Sequence, residues 1–202
     1  MVRPPDIGSV LVIGCGALAK ELLDVAAANG LDAVDVECLP AILHNSPDRI
    51  APAVRDRLER ATGYDRVFVA YADCGTGGQL DAVLEEFGVE RLEGAHCYQF
   101  FAGQREFDAI QEAEIGTFYL TDYLARHFER IVWNGLGLDR HPELVGDYFA
   151  NYTRVLYLAQ TDDPRRTQEA QRAAERLGLA FERRLVGYGD LEPALTQRGA
   201  PV

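Results

Sequence analysis

The sequence predicts an α/β fold with a mainly parallel, Rossmann-like sheet and helices on both of its faces. Strand-like and helix-like segments alternate along the 202 residues, which is the pattern that βαβ units produce. Several strand-like segments are continuous apolar runs, such as Val10-Leu11-Val12-Ile13, as expected for strands buried on both faces. Because 48% of the residues are hydrophobic, a substantial core is expected. We predict one domain over residues 1–202, with a weak subdivision near residues 134–141 as the alternative.

The first half of the chain predicts four strands, each followed by a helix. Apolar residues at helical spacing follow the strand-like runs, and Gly30 and Gly88 end two of the helices. The predicted strands are residues 9–13, 33–37, 66–71 and a short run around Arg91, and the predicted helices are residues 17–29, 48–62, 78–87 and 98–112.

The second half repeats the alternation with three more strands. The helix after the second of them is long and has a polar face, which is typical of a helix that covers a sheet. The predicted strands are residues 117–121, 154–160 and 181–186, and the predicted helices are residues 122–131, 142–150, 164–177 and a short one over 190–197.

Charge and composition exclude several classes of partner. The formal net charge is −12, which disfavours nucleic acid and anionic membranes because binding phosphates requires clustered Lys and Arg. No stretch approaches the roughly twenty continuous apolar residues of a membrane span. The N-terminus leads into a strand rather than a signal-peptide core, so we expect a cytoplasmic protein with reduced thiols. Nothing in the sequence indicates the oligomeric state.

Three of the four cysteines lie in glycine-rich turns that follow strand-like runs: Cys15, Cys74 and Cys97. The carboxyl ends of parallel strands form one rim, where ligands bind, so these thiols are expected to converge. Soft thiolate ligands favour zinc or an iron–sulfur cluster over magnesium or calcium. Any single cysteine has the alternative role of a small buried apolar residue. Further metal-ligand candidates with less positional support are Cys38, His44 and His96.

The turn Asp73-Cys74-Gly75-Thr76-Gly77-Gly78 is the most unusual of the three. Its glycines allow positive φ angles and a close approach of a ligand to the backbone. Successive amides in such a turn can form an anion-binding nest, so Gly75, Gly77 and Gly78 are predicted cofactor-binding residues. A thiol held there, at the start of a helix, is expected to have a lowered pKa.

The first turn also matches a dinucleotide-binding pattern. Gly14 and Gly16 with Ala19 give the G-x-G-x-x-A form between a strand and a helix, and Asp35 or Glu37 closes the next strand, where a ribose partner is expected. NAD or S-adenosylmethionine binding by Gly14, Gly16 and Glu37 is therefore the alternative hypothesis. The same glycines would serve a sharp strand-to-helix turn with no ligand.

Several motifs together resemble domain-of-unknown-function family 1638. The resemblance covers nearly the whole chain and rests on Gly14-Cys15-Gly16, on residues 71–78 and 94–98, on residues 116–122, on Asn151-Tyr152 and on residues 158–160. Members of that family are often encoded beside corrinoid-dependent methyltransferases, which implies a role in one-carbon metabolism. The family pattern carries over to Cys15, Cys74 and Cys97, and less securely to Cys38.

These observations predict a metal- or cofactor-binding protein with a three-cysteine site at the strand ends. The resemblance implies an accessory protein or an enzyme of corrinoid-dependent methyl transfer, with a corrinoid protein or methyltransferase as partner and a corrinoid supplied by that partner. A nucleotide-dependent enzyme is one alternative. The other is a non-catalytic partner of a corrinoid methyltransferase.

Overall fold

A computed structural model describes residues 9–199 of the chain. These residues form two compact units. The first unit contains the described residues up to 97 together with those from 190 onward, and the second contains residues 98–189. The segment 134–141, where the sequence predicts the alternative subdivision, lies inside the second unit. The number of domains that fold independently stays a prediction.

The first unit is built on a parallel sheet of four strands. They are β1 (Val10–Cys15), β2 (Val34–Leu39), β3 (Arg66–Ala70) and β4 (Glu90–Arg91). The order across the sheet is β2-β1-β3-β4. All six residues of β1 are buried, which explains why its sequence is apolar without alternation. The edge strand β2 has no buried residue and carries the polar ones.

Within the described residues, four helices of at least nine residues complete this unit. They are α1 (Ala19–Ala28), α2 (Ile50–Glu59), α3 (Gln79–Phe87) and, at the far end of the chain, α9 (Leu191–Gly199). Helices α2 and α3 pack against each other. Helix α9 returns to pack against α1, and its Leu191 and Leu195 are fully buried.

The second unit has a parallel sheet of three strands. Its elements are β5 (Thr117–Leu120), β6 (Arg154–Ala159), β7 (Ala180–Leu185), α5 (Gln104–Ala113), α6 (Asp122–Arg126), α7 (Val145–Tyr148) and α8 (Pro164–Leu177). The strand order is β5-β6-β7. The central strand β6 has five buried residues in a row, and Phe107, Ile110 and Tyr119 pack with two of its leucines in one apolar cluster.

The predicted parallel, Rossmann-like α/β fold is confirmed, although three helices differ from prediction. The helix predicted over residues 142–150 is a 3-10 turn, Pro142–Leu144, followed by the four-residue α7. The helix predicted over residues 98–112 is two helices, α4 (Cys97–Ala102) and α5, because Gly103 leaves the helical region with φ 79° and ψ 145°. The helix predicted over 122–131 stops at Arg126, and a π-helical turn, Glu129–Trp133, follows. No helix within residues 9–199 combines the length and apolar character needed to cross a membrane.

Candidate functional site: a thiol cluster at the strand ends

The four cysteines lie at the carboxyl ends of the strands in the first unit. Cys15 is the last residue of β1, Cys38 is the penultimate residue of β2, Cys74 follows β3 by four residues, and Cys97 begins α4 beyond β4. All four are free thiols. Because the strands are parallel and adjacent, their ends bring together residues that are up to 82 positions apart in sequence (97 − 15).

Cys74 and Cys97 form a hydrogen-bonded pair. The hydrogen bond with the Cys97 side chain, helped by backbone N–H groups of Cys97 and Ala72, lowers the pKa of Cys74 even though burial opposes this. The same interaction, together with burial, raises the pKa of Cys97 well above its usual value. Of the two sulfurs, Cys74 is therefore the one that loses its proton first, and Cys97 is the one that keeps its proton and donates the hydrogen bond.

Cys15 and Tyr71 stand beside this pair. Burial raises the pKa of Cys15 to about 11, with further increases from Cys74 and Cys38. The sulfur of Cys15 accepts a hydrogen bond from the backbone N–H of Ala17 at 3.5 Å. Tyr71 is 1% exposed, and burial followed by the neighbouring Cys15 raises its pKa. We call Cys15, Tyr71, Cys74 and Cys97 the thiol cluster.

The Tyr71 hydroxyl in the cluster is able to donate a hydrogen bond that the surrounding described residues do not accept in good geometry. Among residues 9–199 it has no well-formed hydrogen bond, and the sulfur of Cys15 is the polar group that most influences it. Buried hydroxyl groups are normally hydrogen-bonded, since leaving one without a partner costs about 1–3 kcal/mol. A hydroxyl in this state can serve a ligand or an ionised neighbouring sulfur.

The backbone fixes Cys74 in an uncommon conformation. Cys74 has φ 51° and is the one non-glycine residue with a positive φ in the part of the chain that the structure describes. The left-handed region costs an L-residue about 1–2 kcal/mol. Two hydrogen bonds hold the turn against the segment that leads to Cys97: Asp73 N–H to Gly94 O at 3.0 Å and Cys74 N–H to Ala95 O at 2.8 Å.

The amides of the glycine-rich turn hold an internal anion. The Asp73 carboxylate accepts hydrogen bonds from the N–H groups of Gly75, Gly77 and Gly78 at 3.1–3.3 Å and from the Thr76 hydroxyl at 2.7 Å. Burial alone would raise the pKa of Asp73, but these hydrogen bonds outweigh it and lower the pKa. The nest that the sequence predicts is therefore formed, and the anion in it is Asp73. A phosphate could use these amides only by displacing this carboxylate.

Removing the Asp73 carboxylate is expected to destabilise the turn. Asp73→Ala removes the acceptor for three amides and one hydroxyl, so we expect a loss of about 1–2 kcal/mol in the free energy of unfolding, as for other capping carboxylates. Urea unfolding measures the loss. Asp56→Ala is the matched control, because it removes only an exposed pair with Arg60, which contributes about 0.3–0.5 kcal/mol. Equal losses in the two variants would contradict the capping role.

The candidates with less positional support lie at the periphery of the cluster. Cys38 is an exposed residue, yet desolvation of its sulfur, followed by the Glu21 carboxylate, raises its pKa to about 11. Burial lowers the pKa of His44, and the charge of His96 lowers it further. Burial lowers the pKa of His96, and the charge of Asp73 opposes this. The two histidines thus lie close enough to influence each other, with His96 also near the glycine-rich turn.

The glycines of the dinucleotide-like pattern have packing roles. A Cβ atom on Gly16 would lie 2.9 Å from the carbonyl oxygen of Leu39 and 3.1 Å from the amide nitrogen of Ala41, so this turn lies directly against the chain that follows β2. A Cβ on Gly14 would lie 2.6 Å from a methyl carbon of Leu22 in α1. The neighbours of Gly16 are backbone atoms, which cannot turn aside, so glycine is required at residue 16 whether or not a ligand binds. The neighbour of Gly14 is the end of the Leu22 side chain, which can move.

Glu37, the residue predicted to bind a ribose, already forms an ion pair within the protein. Glu37 forms a bidentate ion pair with Arg57 of α2, and this hydrogen bonding lowers the pKa of Glu37. Nucleotide binding by Gly14, Gly16 and Glu37 stays a prediction, although each of the three residues has another structural role. A thermal-shift titration with NAD(H) and S-adenosylmethionine tests it, since a bound ligand stabilises the folded state.

No group of three or more His, Cys, Asp or Glu side chains within residues 9–199 is arranged to hold a metal ion as it stands. The thiol cluster brings three sulfurs into mutual electrostatic range, but their side chains are not arranged around one ion position. The metal-ligand roles of Cys15, Cys74 and Cys97 stay predictions.

The fold and this site define a Rossmann-like α/β protein that carries a thiol cluster at its strand ends. The chain belongs to the family described as protein of unknown function (DUF1638), whose sequence profile matches residues 38–195. Cys38, Cys74 and Cys97 lie within the matched residues, and Cys15 precedes them. No curated protein and no solved structure matches the chain.

Proposed function

We propose that this protein binds one soft metal ion, with zinc as the best-fitting candidate, through Cys74, Cys97 and Cys15. The observation that carries the proposal is the hydrogen-bonded pair of Cys74 and Cys97, with Cys15 beside it. Three sulfurs from three strand ends supply the soft donors that zinc prefers, and harder cations such as magnesium do not prefer them.

The closeness of the pair favours a single shared ion. Two sulfurs bound at about 2.3 Å to one tetrahedral zinc ion lie about 3.8 Å apart, which is comparable to the separation of two hydrogen-bonded sulfurs. We expect movements of the Cys74 and Cys97 side chains to let the two sulfurs share an ion. A cubane iron–sulfur cluster places each thiolate on a different iron and needs more widely spaced sulfurs, so zinc fits this pair better.

Cys15 is the third ligand in this proposal, and Tyr71 supports it. With a pKa of about 11, Cys15 is protonated at neutral pH, so binding the metal releases its proton. The buried Tyr71 hydroxyl, which lacks a well-formed partner, is placed to donate a hydrogen bond to the resulting sulfur. Such outer hydrogen bonds orient metal ligands and tune their charge. Three protein ligands leave a fourth position for water, a substrate or a donor from a partner.

The biological setting is the part of the proposal that depends on the family resemblance. We propose that the site serves corrinoid-dependent one-carbon metabolism, either by accepting or delivering a methyl group or by assisting a corrinoid protein. Free thiols and a zinc site fit a reducing cytoplasm. Co-purification of the tagged protein with a corrinoid protein or methyltransferase from a cell extract tests this setting separately from metal binding.

The direct test is metal analysis of protein purified under anaerobic conditions, followed by zinc titration in competition with a chromophoric chelator. We expect stoichiometric zinc in the native protein. Cys74→Ala and Cys97→Ala should each weaken zinc binding by at least about 100-fold, because even the loss of an outer-shell partner costs 10- to 100-fold. Iron together with a visible absorption band would instead indicate a cluster and contradict the choice of zinc.

Cys38→Ala is the matched control, because it removes an exposed cysteine at the edge of the same sheet. We expect it to keep the zinc affinity of the native protein. Circular dichroism of each variant separates the loss of a ligand from a loss of folding. A native protein that contains no metal and does not compete with the chelator for zinc would falsify the proposal.

A further inference from the structure

Cys74 and Cys97 have a second chemical property besides ligand capacity. Their side chains are hydrogen-bonded to each other, and their turns are joined by the two backbone hydrogen bonds from Asp73 and Cys74 to residues 94 and 95. The two sulfurs are thus held next to each other although 22 residues separate them in sequence (97 − 74 − 1). Neither belongs to a short C-x-x-C motif, so the proximity is created by the fold.

Access to solvent differs between the two residues. Cys74 is partly exposed, whereas Cys97 is 9% exposed and counts as buried. Cys74 lies in a turn of polar and small residues, between Asp73 and Gly78. A reagent from solution therefore meets the partly exposed Cys74 before the buried Cys97.

We propose that Cys74 and Cys97 are a redox-active dithiol, in which Cys74 attacks a small-molecule disulfide and Cys97 resolves the product as an intramolecular disulfide. The strained backbone at Cys74, with φ 51°, has the character of residues that are held in place for function. This inference goes beyond metal binding and does not require a metal.

The exchange balances as two successive substitutions at sulfur. The Cys74 thiolate attacks one sulfur of the small disulfide, so that a mixed disulfide forms, the S–S bond of the reagent breaks and one small thiolate leaves. Cys97 then loses its proton to solvent or to a departing thiolate and attacks the Cys74 sulfur of the mixed disulfide. The Cys74–Cys97 bond forms, and the second small thiolate leaves. The protein dithiol is oxidised by two electrons, and the small disulfide is reduced to two thiols.

The test uses the full-length protein with oxidised glutathione as the probe, in the presence of a metal chelator. After acid quenching and alkylation, peptide mass spectrometry should show Cys74 joined to Cys97, with Cys38 alkylated. Cys97→Ser should stop at the mixed disulfide and carry one glutathione on Cys74. Cys74→Ser should lose both products, and Cys38→Ser should behave as the native protein does.

Three outcomes would overturn the inference, and none depends on the variants folding well. They are native protein in which Cys74 and Cys97 stay reduced, a disulfide that joins Cys74 to Cys15 instead, and glutathione attached mainly to Cys38. Repeating the reaction with added zinc separates the two proposals. If zinc is bound by these sulfurs it slows the oxidation, and if zinc has no effect the metal proposal fails while the dithiol remains supported.

Discussion

A single added methyl group at Gly189 is expected to reduce the free energy of unfolding by more than about 4 kcal/mol, a size that marks severe steric conflict. A Cβ atom there would lie 2.2 Å from the carbonyl oxygen of Phe100 and 2.4 Å from that of Phe101. These are backbone atoms, which cannot turn aside as the end of a side chain can. Gly189 also has φ +49°, which adds the cost of the left-handed region.

Gly187→Ala is the matched control for Gly189→Ala. Gly187 is two residues away and has φ +64°, but a Cβ atom there would have no neighbour within 4 Å. Gly187→Ala should reduce the free energy of unfolding only by the cost of the left-handed conformation, about 1–2 kcal/mol. Urea unfolding and soluble yield measure both variants. If they are equally stable, the close approach of Gly189 to residues 100–101 of α4 is not a constraint on the fold.

Asp122→Ala is expected to destabilise the protein by about 1–3 kcal/mol, the cost of leaving a buried hydroxyl without its hydrogen-bond acceptor. The Asp122 carboxylate accepts hydrogen bonds from the Tyr157 hydroxyl at 2.6 Å, from the N–H groups of Gln160 and Thr161 at 3.0 and 3.1 Å, and from the Thr161 hydroxyl at 2.6 Å. Tyr157 is fully buried. Without Asp122 this hydroxyl loses its acceptor.

A double-mutant cycle with Tyr157→Phe identifies the source of that loss. Tyr157→Phe alone removes one donor and leaves Asp122 with three others, so we expect a loss of about 0.5–1.5 kcal/mol. In the Asp122→Ala background the same change removes a hydroxyl that is already unsatisfied, so it should cost less or even restore stability. Additive losses in urea unfolding would show that the two side chains are not coupled.

The fold and the placement of the cysteines could be predicted because both follow from short-range patterns. Apolar runs followed by helical periodicity are sufficient to predict parallel strands, and parallel strands bring their carboxyl ends to one edge. Cys15, Cys74 and Cys97 each follow such a run, so their convergence needed no knowledge of side-chain geometry. The hydrogen bond between Cys74 and Cys97 could not be predicted, because it depends on how two turns separated by 22 residues pack together.

The roles of the glycine-rich turns were only partly predictable. An aspartate followed by glycines is a known sign of a turn in which the carboxylate binds nearby amides, so the sequence did contain the signal for the role of Asp73. The role of Gly16 depends on its contact with residues 39 and 41, which are more than twenty positions away. No local pattern distinguishes that contact from the approach of a pyrophosphate.

Asp122 shows a similar limit. Its position between a strand and a helix predicts an N-cap, but the side chain that caps α6 is the neighbouring Thr121, whose hydroxyl oxygen accepts a hydrogen bond from Leu124 N–H. Asp122 instead binds the turn after β6. The helix begins at residue 122 as predicted, but the residue before it is the cap, and the contacts of Asp122 with Tyr157 and Thr161 are too distant in sequence for a local pattern to predict.

Because α9 packs against α1, the first unit cannot finish folding on the ribosome until α9 has been synthesised. Synthesis delivers residues 98–189 in one continuous stretch, so the second unit is fully emerged while the first still lacks Leu191 and Leu195. Domains generally fold as units, and the first unit is not complete until α9 has left the exit tunnel. The unit that carries the thiol cluster therefore completes its packing only after residues 98–189 have been synthesised.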